Sequence, residues 1–174
     1  MPAIIAYGSL INPTQLCASY PLTAPRPVVV RGYRRSFNQE PSWRKGDAQR
    51  RAVLNVVPSE GDCFNALLIS LQSSSDFCEL DEREKGYNRT LVEASRITRL
   101  DNISCSLYSE FSSEQIYLYV GKPDKRNNEI LPSENYLNLC LRGARYWGKA
   151  FYKQFLQTTY VGSSPLSAFL QRDK

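Results

Sequence analysis

Between residues 27 and 71 the chain repeats one pattern, a run of β-branched and aliphatic residues followed by a break rich in Gly, Pro or Asp. The runs are PVVVRGYRRSF at 27–37, RAVLNVV at 51–57 and FNALLISL at 64–71. Branching at Cβ stiffens χ1 and packs well on a pleated surface, so each run reads as a strand. The last two are predicted to form a hairpin through Pro58-Ser59-Glu60-Gly61-Asp62. A polar stretch at 39–49, holding Pro41, Trp43 and Gly46, separates the first two. It is long for a connection in a compact domain, which predicts a mobile segment bordering a ligand.

Upstream, residues 4–7 (IIAY) end in Gly-Ser, and Asn12-Pro13 supplies an N-cap and a proline at the first helical position. That order reads as strand, tight loop, short helix. Downstream, Ser73 to Asp76 break the strand pattern and start a helix ending at Gly86, after which 87–100 and 115–120 return to strand character. A charged loop covers 121–132. Ser133 then opens a stretch in which Leu137, Leu141, Ala144, Trp147, Phe151 and Phe155 recur every three or four positions, predicting a long amphipathic helix broken near Gly148. Strands first and helices last predict an α+β fold around a largely antiparallel sheet or barrel. At 174 residues and 42% hydrophobic content, the chain fits a single domain spanning 1–174.

Composition removes several function classes. No apolar run approaches the roughly 20 residues that span a bilayer, and the N-terminus lacks a basic leader region, so the expected location is cytoplasmic. The sequons at Asn88 and Asn102 therefore carry no weight. Five cysteines at wide intervals, with no C-x-x-C pair, are expected to be reduced thiols, mostly small core residues. There is no histidine, which rules out Ser-His-Asp and Cys-His catalysis and imidazole-dependent metal sites. Acid–base chemistry must come from carboxylate, Tyr, Lys or Cys. With 22 Lys and Arg against 17 Asp and Glu, the basic excess is mild, and nothing groups basic residues with exposed aromatics as a nucleic-acid surface requires.

One carboxylate stands apart. Asp76-Phe77-Cys78-Glu79 reads as a capping box and Gly86 as a left-handed terminator, bounding a short helix. At about 100° per residue, Phe77, Leu80 and Glu84 fall in one arc, which places Glu84 on the core face. Glu79 with Arg83, and Asp81 with Lys85, are expected to pair on the remaining surface at i,i+4 spacing. Burial and the negative end of the helix dipole both disfavour ionised Glu84 and raise its pKa, as a base that later acts as an acid requires. Pairing with a buried arginine is the alternative reading.

The loop after the first strand offers a second element. Backbone N–H groups of Gly8, Ser9 and Leu10 would converge as a nest for a carboxylate or phosphate, although an ordinary strand-to-helix turn has the same pattern. No P-loop signature is present.

Taken together, Tyr7-Gly8-Ser9-Leu10 near the N-terminus and Leu80-Asp81-Glu82-Arg83-Glu84-Lys85-Gly86-Tyr87 in mid-chain resemble the gamma-glutamylcyclotransferase superfamily, including its ChaC-like and AIG2-like branches. Tyr117-Leu118-Tyr119-Val120 resembles that family's later tyrosine-bearing strand. The resemblance implies a small mixed β-barrel flanked by helices, with a long C-terminal helical segment. It implies release of 5-oxoproline from a gamma-glutamyl substrate: glutathione, a gamma-glutamyl amino acid or a gamma-glutamylamine. Glu84 would be the general base and acid, and Tyr7, Gly8, Ser9, Leu10, Tyr87 and Tyr119 would bind substrate. No cofactor or metal is implied, because nucleophile and electrophile share one molecule. The implied partner is that small molecule alone, with no nucleic acid or membrane, on a monomer or homodimer.

The chain departs from the family pattern in two places. One glycine, Gly86, stands where ChaC-like members have two, and Leu10 replaces the Asn of plain cyclotransferases, so the substrate stays open. Arg34, Arg35, Arg50 and Arg51 bracket the polar stretch, either to pair with a second substrate carboxylate or to stand exposed at strand edges. A non-catalytic member of the same fold, binding a small anionic or peptide ligand, is the alternative function.

Overall fold

The computed structural model describes residues 2–17, 25–42, 47–73, 76–100 and 115–172. In chain order the elements are β1 (Pro2–Ala6), α1 (Pro13–Cys17), β2 (Arg26–Gln39), β3 (Arg50–Ser70), α2 (Asp76–Arg83), β4 (Tyr87–Val92), β5 (Ile97–Arg99) and β6 (Gln115–Gly121). They are followed by β7 (Leu131–Pro132), α3 (Glu134–Tyr146), α4 (Lys149–Thr158), β8 (Thr159–Val161), β9 (Ser164–Pro165) and α5 (Leu166–Arg172). The class is α+β, as the order of runs predicts. The sheet path is β4-β6-β1-β3-β2-β8-β9, with β5 on β2 and β7 on β3. It mixes parallel pairs, β1 with β6 and β2 with β8, among antiparallel ones, and it stays open where a barrel was expected.

The hairpin predicted through Pro58 to Asp62 is absent. Arg50 to Ser70 is one strand, running antiparallel to β2 from the Arg26↔Leu68 pair to Gln39↔Val53. Between Arg31 and Tyr33 the register jumps from Cys63 to Pro58, so residues 59–62 swell out of the ladder without reversing the chain. Pro58 has no N–H to give a ladder bond, and Gly32 and Gly61 take φ of 83° and 89°, which other residues rarely adopt. The Ser59 hydroxyl donates to Asp62 at 2.6 Å across the swelling. Glycine, proline and aspartate therefore mark a bulge here, where the same residues elsewhere mark a turn.

The C-terminal helices follow the periodicity. Ser133 Oγ accepts from the Tyr136 N–H, and the chain breaks at Gly148, whose φ of 98° separates α3 from α4. Phe151 and Phe155 are fully buried against the sheet, each contributing about 1.5–3 kcal/mol by leaving water. At the other end of the bundle Asn12 Oδ1 accepts from Thr14 N at 3.1 Å and caps α1, while its Nδ2 donates to the Leu139 carbonyl of α3 at 3.0 Å. Among the thiols whose burial is described, Cys140 is buried, Cys63 sits half-buried by the bulge and Cys78 lies on the outer face of α2. Cys105, Asn102 and residues 43–46 of the polar stretch lie outside the described residues. No described helix is long and apolar enough to cross a membrane.

Candidate active site

β1 delivers Tyr7 to the edge of the core, and the chain then tightens into a 3-10 turn at Ser9–Ile11. Ile11 N donates to Gly8 O at 3.1 Å and Asn12 N to Ser9 O at 3.0 Å. Those bonds use the turn's carbonyls, and its opening amides have no acceptor within the turn. Gly8 is required by close approach: a Cβ there would lie 3.0 Å from the Tyr136 hydroxyl.

α2 ends earlier than the sequence suggests. It closes at Arg83, and Glu84, Lys85 and Gly86 form a turn in which Glu84 N donates to Leu80 O and Tyr87 N to Glu84 O, both at 2.8 Å. Gly86 is not left-handed. A Cβ there would meet Ser42 Oγ at 2.6 Å, so that hydroxyl would have to turn aside. The capping box also fails: Asp76 accepts from Gln72 N and Ser73 N at 3.0 and 3.1 Å, tying the preceding loop instead of reaching Glu79. Glu82 pairs with Lys85, and Asp81 with Arg89 at 3.1 Å, replacing the expected i,i+4 pairs. Phe77 and Leu80 are buried as predicted. Glu84 lies beside them with its side chain 22% exposed and Arg83 Nε at 3.4 Å. The expectation of a carboxylate without a charged neighbour is thus wrong, because adjacent residues in a turn share a side that they would not share in a helix.

The residues of the Tyr7 to Leu10 loop, Glu84, Tyr87 and Tyr119 meet at one place. Tyr7, Gly8, Ser9, Leu10, Glu84, Tyr87 and Tyr119 line a cleft of about 440 Å³, together with Leu54 and Tyr136. Pro41 and Ser42 of the polar stretch line an adjoining cavity that also reaches Glu84, so that stretch does border the cleft. The tyrosines are fixed by hydrogen bonds: Tyr7 donates to the Tyr119 carbonyl at 2.6 Å, Tyr87 to the Leu54 carbonyl at 2.8 Å, and Tyr119 to Asp81 Oδ1 at 2.6 Å. Burial, with the Tyr87 phenol and the Glu84 carboxylate nearby, pushes Tyr7 well above the ordinary tyrosine value. Burial and the bond to Asp81 push Tyr119 up as well. Both phenols stay neutral, and Glu84 is the one carboxylate among the described residues lining this cleft.

Sequence reasoning missed Tyr136, which accepts from Leu54 N at 3.4 Å and abuts Gly8. It falls within the apolar face of α3, where an aromatic reads as core. Asp81, which the helical spacing presents only as a surface ion-pair partner, also holds the Tyr119 hydroxyl. The bracketing arginines do not line the cleft. Arg35 is fully buried, Arg51 is paired with Glu40 at 2.6 Å, and Arg34 faces a separate groove.

The open mixed sheet with its flanking helices has the fold of solved gamma-glutamyl cyclotransferases. A gamma-glutamyl cyclotransferase structure is similar over 98% of both chains, with a TM-score of 0.63 and 15% identity. An uncharacterized protein from Homo sapiens is similar over 97% of both, with a TM-score of 0.60 and 15% identity. A yeast gamma-glutamyl cyclotransferase specific to glutathione matches 98% of this chain and 96% of its own, with a TM-score of 0.57 and 14% identity. By sequence alone, no family model and no curated protein matches the chain.

Proposed function

We propose that the protein is a gamma-glutamylcyclotransferase with Glu84 as its general base and acid. The observation that carries this reading is the meeting of Glu84 with the Tyr7 to Leu10 turn in one tyrosine-walled cleft. The turn's amides bind the gamma-glutamyl part and orient its alpha-ammonium toward Glu84, which takes one proton. The amine lone pair then attacks the gamma-carbonyl carbon, forming the ring C–N bond as the carbonyl π pair moves to oxygen. Collapse re-forms the carbonyl and breaks the bond to the leaving nitrogen, which takes the proton held by Glu84; Glu84 then takes the remaining excess proton from the ring nitrogen and passes it to the released amine, which leaves as an ammonium. The products are 5-oxoproline and a free amine or amino acid. Because amine and carbonyl share one molecule, the cleft's task is to hold the substrate folded in a near-attack geometry. Tyr7, Tyr87 and Tyr119 act as walls and fix the substrate by shape and hydrogen bonding.

The test is 5-oxoproline release from glutathione, gamma-glutamyl amino acids and gamma-glutamylamines, which also assigns the substrate and the branch of the fold. Glu84→Gln is expected to abolish release, by about 10²–10⁴-fold or more, while leaving the thermal transition in place. Undiminished turnover in that variant removes Glu84 from the mechanism. Saturable binding of 5-oxoproline by wild type, without turnover of any of the three substrate types, assigns the fold here to ligand binding alone.

A further inference from the structure

On β2, alternation of the pleat puts Arg34, Ser36 and Asn38 on one face. With Arg126 and Asn128 from the segment after β6, and Ser163 from the β8–β9 turn, they line a groove of about 850 Å³. It shares no lining residue with the cleft around Glu84. Its chemistry is one-sided. Donors come from separate elements, two of them guanidinium groups, and no carboxylate is among the lining residues.

These donors are held in place without being consumed. Arg34 is stacked on the Tyr160 ring with its Cζ 3.8 Å from the centroid, which occupies the guanidinium face and leaves its edge for an acceptor. Its Nε is buried and has no hydrogen-bond partner among the described residues. Neither Arg34 nor Arg126 makes an ion pair among the described residues. Ser36, 8% exposed, lines the same groove. Asn38, 7% exposed, donates to Asn128 Oδ1 at 2.9 Å and so orients Asn128 with its own amide donors free. A buried donor left unpaired is costly, and buried polar groups normally find partners. Two guanidinium groups without a counter-ion beside such a donor form a site awaiting an anion.

We propose that this groove binds a phosphate group, free or as the monoester of a small molecule. A carboxylate has two oxygens, fewer than the donors that line the groove from β2, the 126–128 segment and the β8–β9 turn. A phosphomonoester presents three oxygens and close to two negative charges, matching two guanidinium forks and the hydroxyl and amide donors between them. The charge is too sparse for a nucleic-acid track, which needs a continuous basic stripe. The proposal is independent of the chemistry at Glu84.

The full chain is titrated by calorimetry at constant ionic strength with inorganic phosphate, glycerol 3-phosphate and acetate, and Ser36, Asn38, Asn128 and Ser163 amide shifts are followed by NMR. Saturable binding of either phosphate probe, with shifts centred on those residues, is the expected result, and the tighter probe identifies the free or esterified source. Arg34→Met and Arg126→Met are each expected to weaken binding by about tenfold or more. Arg126 is exposed, so its variant tests the groove even where loss of the Arg34 stack disturbs β8. Acetate binding as tightly as phosphate, no binding of either phosphate probe, or phosphate affinity unchanged in folded Arg126→Met overturns the proposal.

Discussion

Tyr7 is 6% exposed and donates its hydroxyl proton to the Tyr119 carbonyl, so ionising it would place a phenolate in the core facing an acceptor. Tyr119 is held likewise by Asp81. Both groups have folded pKa values raised above the unfolded one, so their contribution is complete below about pH 10 and is lost as pH rises, because the unfolded chain then releases protons that the native state keeps. Each group should remove up to about 1.4 kcal/mol per pH unit in that window. Arg35, pushed down to about 9 mainly by burial, acts with the opposite sign at high pH. The comparison that isolates the tyrosines is therefore wild type against Tyr7→Phe and Tyr119→Phe, with Arg35 common to all. Urea unfolding from pH 8 to 11 is expected to show a shallower alkaline loss in each variant, with Tyr7→Phe costing about 1 kcal/mol at neutral pH for its lost bond. Equal slopes would mean that the phenols ionise freely in the fold. Glu84 was legible in the sequence because a charge interrupts the Phe77, Leu80 stripe. Arg83 beside it was not, because its placement depends on where α2 ends, and helix ends answer to tertiary contacts such as the bonds that Gln39 Nε2 and Lys122 N give the Gly86 carbonyl.

Elements are joined behind the cleft by two contacts that periodicity cannot reveal. Arg35 of β2 reaches Asn65 O and Oδ1 on β3 at 2.6 and 2.8 Å, and Thr159 Oγ1 on β8 at 2.8 Å, with its guanidinium 4.2 Å from the Phe155 ring of α4. Arg35→Ala strands those acceptors and leaves a cavity, so a loss of about 3–5 kcal/mol in denaturant unfolding is expected. Arg35→Lys should fall between, having a point charge where the planar fork is needed. The second contact is Gly143 of α3, where a Cβ would lie 2.8 Å from Asn12 N, a backbone atom that cannot swing aside. Gly143→Ala should cost about 1–3 kcal/mol and push α3 off the turn beside the cleft. Because Tyr136 of α3 abuts Gly8, the proposed function adds the expectation of a raised KM for 5-oxoproline release. Gly148→Ala, strained at its φ of 98° but with nothing within 4 Å, should lose stability and keep its KM. A matching KM change in both would sever packing of α3 from the cleft. Periodicity identified α3, α4 and the break between them because one apolar face decides a helix. It misread 58–62, because whether Pro and Gly turn a chain or swell it depends on the partner strand: β2 runs on beside them, with Gly32 opposite the gap.

At the scale of the molecule, the cleft draws its walls from β1 and its turn, β3, the turn after α2, β4, β6 and α3, elements that meet only once the sheet path from β4 to β3 is assembled. Element order made the class of fold legible, but the path itself was not, since β1 inserts between β3 and β6 and no local pattern encodes that. The site's geometry is therefore a property of the whole sheet, and a ligand held there binds the native state and not the unfolded chain. On the proposed function, 5-oxoproline at about 100 times its Kd should raise the unfolding free energy by about 2.7 kcal/mol. The gain should appear as a higher denaturant midpoint with an unchanged slope, because the surface exposed on unfolding stays the same. Amide exchange should slow together in β1, β3, β6 and α3, as global opening becomes rarer. Slowing confined to α2 and the turn at Glu84, with the midpoint unmoved, would place the ligand on a local surface and take the remaining walls out of the binding site.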